Sequence, residues 1–384
     1  MISRRAESEL LKLSKQFKAV AIIGPRQSGK TTLVKYTFPD KPYVSLENPD
    51  IRQFAQEDPR GFLDQYSSGA ILDEAQRVPH LFSYLQQLLD ENKEPGRFII
   101  TGSNNFLLQE NISQSLAGRI GYIILLPFSY SELMETGKWD LNELLFKGAY
   151  PPIYDQPVET NAWYNNYIRT YIERDVRQLK NISDLYNFER FIKLCAARVG
   201  QLLNMSNLAI ETGVDHKTIS SWLGILESSF IIYRLQPHHK NFNKRIVKMP
   251  KLYFYDTGLA SALLGIQNAN QLDINPYRGA IFENFVITEL IKKSYNAGQP
   301  HHIYFWRDNT GHEIDAIIEK PDLLYPIEIK SGKTITSAYF YGLDFWNKIS
   351  NQSGGTVIYG GSYYQKRSNG IEVIPWNKAL FEDK

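Results

Sequence analysis

Short apolar runs along the chain fall into two sets, separated by a long stretch of helical spacing. In the first set, Ala19–Ile23, Tyr43–Leu46, Ala70–Leu72, Phe98–Ile100 and Tyr122–Leu126 are almost continuously apolar, as strands buried on both faces must be. Helical segments such as Leu81–Asp90 separate several of them, which predicts an α/β unit with a parallel sheet covered on both sides. From Glu132 to Leu203 the apolar period is helical, broken by Pro151-Pro152 ahead of a helix carrying Tyr167–Leu179. Residues 206–212 and a helix opening at Asp215 then flank Gly213 with helix-turn-helix spacing. Ile219, Trp222, Leu223 and Leu226 share its apolar face, and Phe230–Arg234 reads as a short wing strand. In the last third an amphipathic helix over Gly279–Leu290 precedes three predicted strands, Tyr304–Trp306, His312–Ile318 and Tyr325–Lys330.

The first apolar run ends in Gly24-Pro25-Arg26-Gln27-Ser28-Gly29-Lys30-Thr31, followed by Thr32 and the start of a helix. This is G-x-x-x-x-G-K-[ST] in its expected setting of strand, loop and helix. Gly24 and Gly29 let the backbone curl so that its N–H groups face a phosphate. Lys30 supplies charge at the β/γ oxygens, Thr31 can ligate Mg²⁺, and the helix N-terminus favours the same anion. The loop therefore predicts a nucleoside triphosphate site, for ATP or GTP. The third run ends in Asp73-Glu74, 43 residues after Lys30. Asp73 is placed to hold Mg²⁺, and Glu74 to polarise the water that attacks the γ-phosphate. Ser103 and Asn104, after the fourth run, are candidates to contact that phosphate or water, or else to cap a turn. Arg26 and Arg119 are candidate arginine fingers.

Composition narrows the remaining possibilities. At 384 residues the chain should form two or three domains, and 43% hydrophobic with 22% charged residues describes a globular protein. With 43 Lys+Arg against 41 Asp+Glu, any nucleic-acid contact must come from a local patch. Lys217 and His216 at the start of the second helix of the helix-turn-helix are one such candidate. The one cysteine, Cys195, excludes an internal disulfide and lies in a helical apolar setting. No stretch reaches the roughly 18 apolar residues of a membrane span, so a cytoplasmic protein is expected.

With these motifs, the chain resembles the AAA-like, additional-strand P-loop ATPases. More narrowly, it is similar to prokaryotic ATP-binding proteins that join such a module to a C-terminal domain of unknown function. Gly24–Thr32, Leu72–Gln76, Thr101–Ser103, Pro127–Ser129, residues 171–176 and Tyr255–Leu259 carry the likeness. It implies ATP as the nucleotide, with Mg²⁺, and a helical lid over it. Strand alternation puts Glu313 with Asp315, and Glu328 with Lys330, on single faces. An Asp at a strand end followed by Glu-x-Lys resembles the restriction-endonuclease-like site. That likeness implies Mg²⁺ or Mn²⁺ on Asp315 and Glu328, a further ligand in Glu283, and Lys330 acting on water or the phosphate.

The expected architecture is an α/β P-loop NTPase (AAA-like) core over residues 1–135 and a helical lid over 136–203. A winged helix-turn-helix follows over 204–258, then a restriction-endonuclease-like α/β domain over 259–384. Two functions remain open from the residues. One is an ATPase coupled to DNA binding or metal-dependent cleavage. The other is an ATP-dependent switch that docks a protein partner, or a second copy, through a nuclease-like fold that cuts nothing.

Overall fold

The computed structural model describes residues 2–91, 94–103, 116–172, 185–239 and 246–381. All five apolar runs of the first set are strands: β1 (Ala19–Ile23), β2 (Tyr43–Ser45), β3 (Ala70–Asp73), β4 (Phe98–Gly102) and β5 (Ile120–Ile124). They form one parallel sheet in the order β2-β3-β4-β1-β5. Strands β1, β3 and β4 are buried at every position, which is why their sequences do not alternate. Val20 and Ile22 pack with Leu10 and Leu33 on one face, while Ala19, Ala21 and Ile23 join the core containing Phe82 and Leu85 on the other. Because every strand runs the same way, the residues after β1, β3 and β4 meet along one edge, where open α/β sheets bind ligands.

In the middle region, helices Leu141–Lys147, Thr160–Tyr167 and Leu185–Ala196 lead to the two helices Met205–Thr212 and His216–Ser228. Asn204 and Asp215 cap the last two, and Gly213 closes the turn at a φ of 75°. The strand expected over Phe230–Arg234 begins later, at β6 (Ile232–Leu235), because Phe230 adopts a left-handed φ of 56°. Its antiparallel partner β7 (Lys251–Phe254) carries the short apolar run Leu252–Tyr255, which lay outside the predicted strands.

The three predicted C-terminal strands are β8 (Ile303–Arg307), β9 (Glu313–Lys320) and β10 (Leu323–Lys330), paired antiparallel in chain order. The chain then forms helix Tyr341–Ser350, β11 (Gly355–Tyr359) parallel to β10, β12 (Gln365–Lys366), and β13 (Ile371–Pro375) parallel to β11. Helix Arg278–Asn296 packs on β7 and β10, and the Asn284 amide both accepts from Phe254 N and donates to Phe254 O. Strands β6 and β7 are thus docked onto the C-terminal domain, and one hydrophobic core runs from Ala19 to Trp376. Among the described residues no helix is long and apolar enough to cross a membrane.

Candidate functional site

The loop after β1 has the conformation its sequence requires. Gly24 has a φ of 156°, and a Cβ there would lie 2.1 Å from Leu125 O; Gly29 has a φ of 89°. No other residue fits the first position without moving the backbone of the neighbouring strand. Lys30 opens helix Lys30–Thr37 and folds back, its Nζ donating to Gly24 O at 3.0 Å and Pro25 O at 2.7 Å. The Ser28 hydroxyl is fully buried, with no hydrogen-bond partner among the described residues. A glycine-shaped cradle, an unpaired hydroxyl and a buried ammonium together fit a triphosphate. Gln27, with a φ of 63°, and Thr32 are exposed at its rim, while Arg26 O accepts from Tyr167 OH at 3.4 Å.

Asp73 and Glu74 stand at the same edge with different surroundings. Asp73 is 7% exposed and accepts from Thr31 Oγ1 at 3.1 Å, from Tyr43 OH at 2.6 Å and from Thr101 Oγ1. Partial burial and the Asp73 carboxylate push the Tyr43 phenol above its ordinary value, so it remains a donor. Thr31 and Asp73 are thereby a hydroxyl and a carboxylate side by side, an oxygen set that suits Mg²⁺ bound with a triphosphate. Glu74 has a φ of 54°, rare for a residue with a side chain. Its Oε2 accepts from Ser103 Oγ at 2.9 Å and from the Gln76 amide, so a strained backbone aims a carboxylate that two neighbours hold. Ser103 thus positions Glu74 in this structure; Asn104 lies outside the described residues.

A buried arginine connects the loop to the rest of the chain. Arg4 donates to Ser28 O at 2.7 Å, to Leu126 O at 2.6 Å and to Glu132 Oε1 at 3.2 Å. Glu132, fully buried, also accepts from Arg5 N and Ser129 N and completes the capping box of helix Tyr130–Leu133. From the C-terminal domain, Lys292 Nζ reaches Phe128 O at 2.7 Å and Glu289 accepts from Tyr130 N at 2.7 Å.

The second candidate cluster lies where β7, β9, β10 and helix Arg278–Asn296 meet. Lys330 Nζ bonds Asp315 at 3.1 Å and Glu328 at 2.6 Å, so those two carboxylates do face the same side. Glu283 is held elsewhere, by Lys251 Nζ at 2.9 Å and Tyr253 OH at 2.5 Å, and Lys251 also pairs with Glu313. Among the described residues no three His, Cys, Asp or Glu side chains gather as a metal cage. Of the expected ligands, Asp315 and Glu328 thus share Lys330, while Glu283 is engaged by Lys251, buried in β7.

Burial would raise Asp315, but the Lys330 and Lys251 ammonium groups hold it below its ordinary value. Burial and the Asp315 charge push Glu328 up to about 8, only partly opposed by Lys330. A carboxyl raised on folding contributes stability that is fully present below its unfolded value and is lost as pH rises through about 8. The chain should accordingly lose stability between about pH 5 and pH 9, and Glu328→Gln, uncharged throughout, should remove that component from thermal melts. Parallel pH profiles for the two proteins would refute a buried proton at this site.

Residues 16–134 match the family model described as an AAA domain, residues 138–270 a domain of unknown function (DUF8612), and residues 278–379 another (DUF4143). The uncharacterized protein Rv2008c of Mycobacterium tuberculosis is 34% identical over 87% of this chain and 75% of its own length. The chain belongs to the same AAA-domain family as Rv2008c. The uncharacterized protein MJ1544 of Methanocaldococcus jannaschii is similar at 23% identity over 94% of this chain and 88% of that one. The Walker-type ATPase PABY2304 of Pyrococcus abyssi shares 15% identity, covering 68% of this chain and 96% of that one, with a TM-score of 0.46. A likeness that slight carries no argument.

As an AAA-domain protein the chain brings Lys30, Thr31, Asp73, Glu74 and Ser103 to one edge, but not Arg119. Arg119 immediately precedes β5, at the end of the parallel sheet opposite the P-loop, and is paired there with Asp90 at 2.6 and 2.9 Å. A cis arginine finger at this position is excluded by strand direction. Tyr43, Gln76 and Thr101 were missed as site residues because each lies in a run that reads as core or turn. Arg4 was missed because nothing local distinguishes it from Arg5. Cys195 is buried, and burial pushes its thiol up, which leaves it an inert core residue.

Proposed function

We propose that this chain hydrolyses ATP at the P-loop and that its nucleotide state is passed to the C-terminal domain. Lys30 and the loop amides bind the triphosphate, Thr31 and Asp73 hold its Mg²⁺, and Glu74 takes the proton of the attacking water. The observation that carries the transmission is the unbroken contact from Ser28 through Arg4 to Leu126 and Glu132, and from Phe128 and Tyr130 to Lys292 and Glu289. A shift of the P-loop on binding phosphate must move Arg4 or break its buried bonds, and a buried ion pair deprived of one partner is costly. Amide exchange across helix Arg278–Asn296 should therefore change when Mg·ATP is added, and should not change in Lys30→Ala. Identical exchange with and without ATP would overturn transmission.

A second reading is favoured by Asp315, Glu328 and Lys330 converging beside a helix followed by three antiparallel strands. We propose that this is the restriction-endonuclease-like arrangement, with Mg²⁺ or Mn²⁺ taken by Asp315 and Glu328 alone and Lys330 beside the scissile phosphate. The alternative, a protein-docking switch, is supported by Lys251 and Lys330 neutralising the carboxylates without a metal. The two separate on metal-dependent nucleic-acid cleavage that disappears in Asp315→Ala while phosphate release from ATP persists. The start of helix His216–Ser228, with His216, Lys217 and Ser220 exposed, suits duplex contact but also carries the acidic cap Asp215.

A further inference from the structure

The two loops that follow β10 and β11 have a composition unlike the rest of the chain. Residues 331–341 and 360–370 contain three Lys or Arg and no Asp or Glu, in a protein with 43 of one sign and 41 of the other. They are joined in space: Gly360 N bonds Lys330 O at 3.0 Å, and the Arg367 guanidinium lies 3.9 Å from the centre of the Phe340 ring. On their outer side Tyr341 is 67% exposed, Tyr363 76% and Tyr364 49%, with Lys333, Lys366 and Arg367 exposed among them. Acids border it: Glu372 of β13, which receives Tyr364 OH at 3.0 Å and Lys366 at 3.7 Å, and the exposed Asp344, one helical turn after Tyr341.

This surface adjoins the carboxylate pair. Lys330, which bonds Asp315 and Glu328, is the residue before the first loop, and a Cβ on Gly342, next to Tyr341, would lie 2.0 Å from Glu328 Oε1. The rings of Tyr341, Tyr363 and Tyr364 leave much of their surface in water, although the Tyr364 hydroxyl is engaged by Glu372. Placed among cations that no acidic neighbour in either loop offsets, they match flat π-faces next to phosphates. A duplex hides its base faces, whereas a single strand presents both bases and backbone.

We infer that Tyr341, Tyr363 and Tyr364 form a stacking platform for single-stranded nucleic acid, with Lys333, Lys366 and Arg367 on its phosphates, leading the strand to Lys330. The binding step stands on these loops alone, while delivery to Lys330 rests on the cleavage reading above. A near-neutral chain then contacts nucleic acid through one local patch, so affinity falls steeply with salt.

The test is fluorescence anisotropy of the full chain with dye-labelled oligonucleotides of about 16 nucleotides, as single-stranded DNA, single-stranded RNA and duplex, in EDTA so that nothing is cut. Single strands should bind more tightly than duplex. Tyr363→Ala with Tyr364→Ala should weaken them at least tenfold, and Lys366→Glu with Arg367→Glu should flatten the salt dependence. ATP turnover should be unchanged in both double variants, which shows that they fold. Parental binding by the tyrosine double variant, a preference for duplex, or no binding at all would overturn the proposal. Binding without cleavage on adding Mg²⁺ or Mn²⁺ would uphold the platform and refute only the cleavage reading. Cleavage unaffected by the tyrosine substitutions would do the reverse.

Discussion

Lys30→Ala should abolish measurable nucleotide binding while leaving the fold intact. The side chain is 6% exposed and its ammonium turns back into the loop, where it satisfies Gly24 O and Pro25 O. Alanine removes a cation from the position of the β/γ oxygens, where little water can take its place. Gly24 and Pro25 are buried, so losing this donor costs about 1–3 kcal/mol for each carbonyl left unsatisfied, a lowered melting temperature in a chain that still folds. Equilibrium binding of a fluorescent ATP analogue checks this directly. Parental affinity would mean that the loop does not receive the triphosphate.

Glu74→Gln should keep ATP bound and slow its turnover by about 10² to 10⁴, the usual contribution of a general base. The amide preserves shape and can still receive Ser103 Oγ, so the left-handed backbone at 74 is not relaxed by the change. Only the ability to accept a proton is lost. Binding that falls together with turnover would instead assign Glu74 a structural part in the edge it shares with Asp73.

Strands β1, β3 and β4 were legible because burial on both faces leaves no polar positions to confuse the period, whereas β5 alternates and begins at Ile120, two residues ahead of its apolar run. The loop was legible because its glycines answer a steric demand that Leu125 O makes visible in the structure. Asp315, Glu328 and Lys330 meet because strand alternation is a local rule. Other features depend on distant partners and leave no local mark. Lys251 looks like a strand-opening surface residue until helix Arg278–Asn296 covers it with Glu283. Arg4 becomes a clamp only when Ser28, Leu126 and Glu132 arrive around it. The segment beyond Lys330 gave no motif, yet supplies half the C-terminal sheet, because its apolar runs are short and separated by polar loops. Arg119 failed for a different reason: its residue type fitted a finger, but a parallel sheet fixes which end of β5 it can occupy.

The account stands on hydrolysis at the Lys30–Thr31–Asp73–Glu74 edge. It is tested most directly by acid-quenching the unmodified chain after mixing with Mg·ATP and separating the nucleotides. The expected result is ADP and phosphate accumulating with time, and none after EDTA. ATP recovered intact from protein that demonstrably binds it would contradict the account.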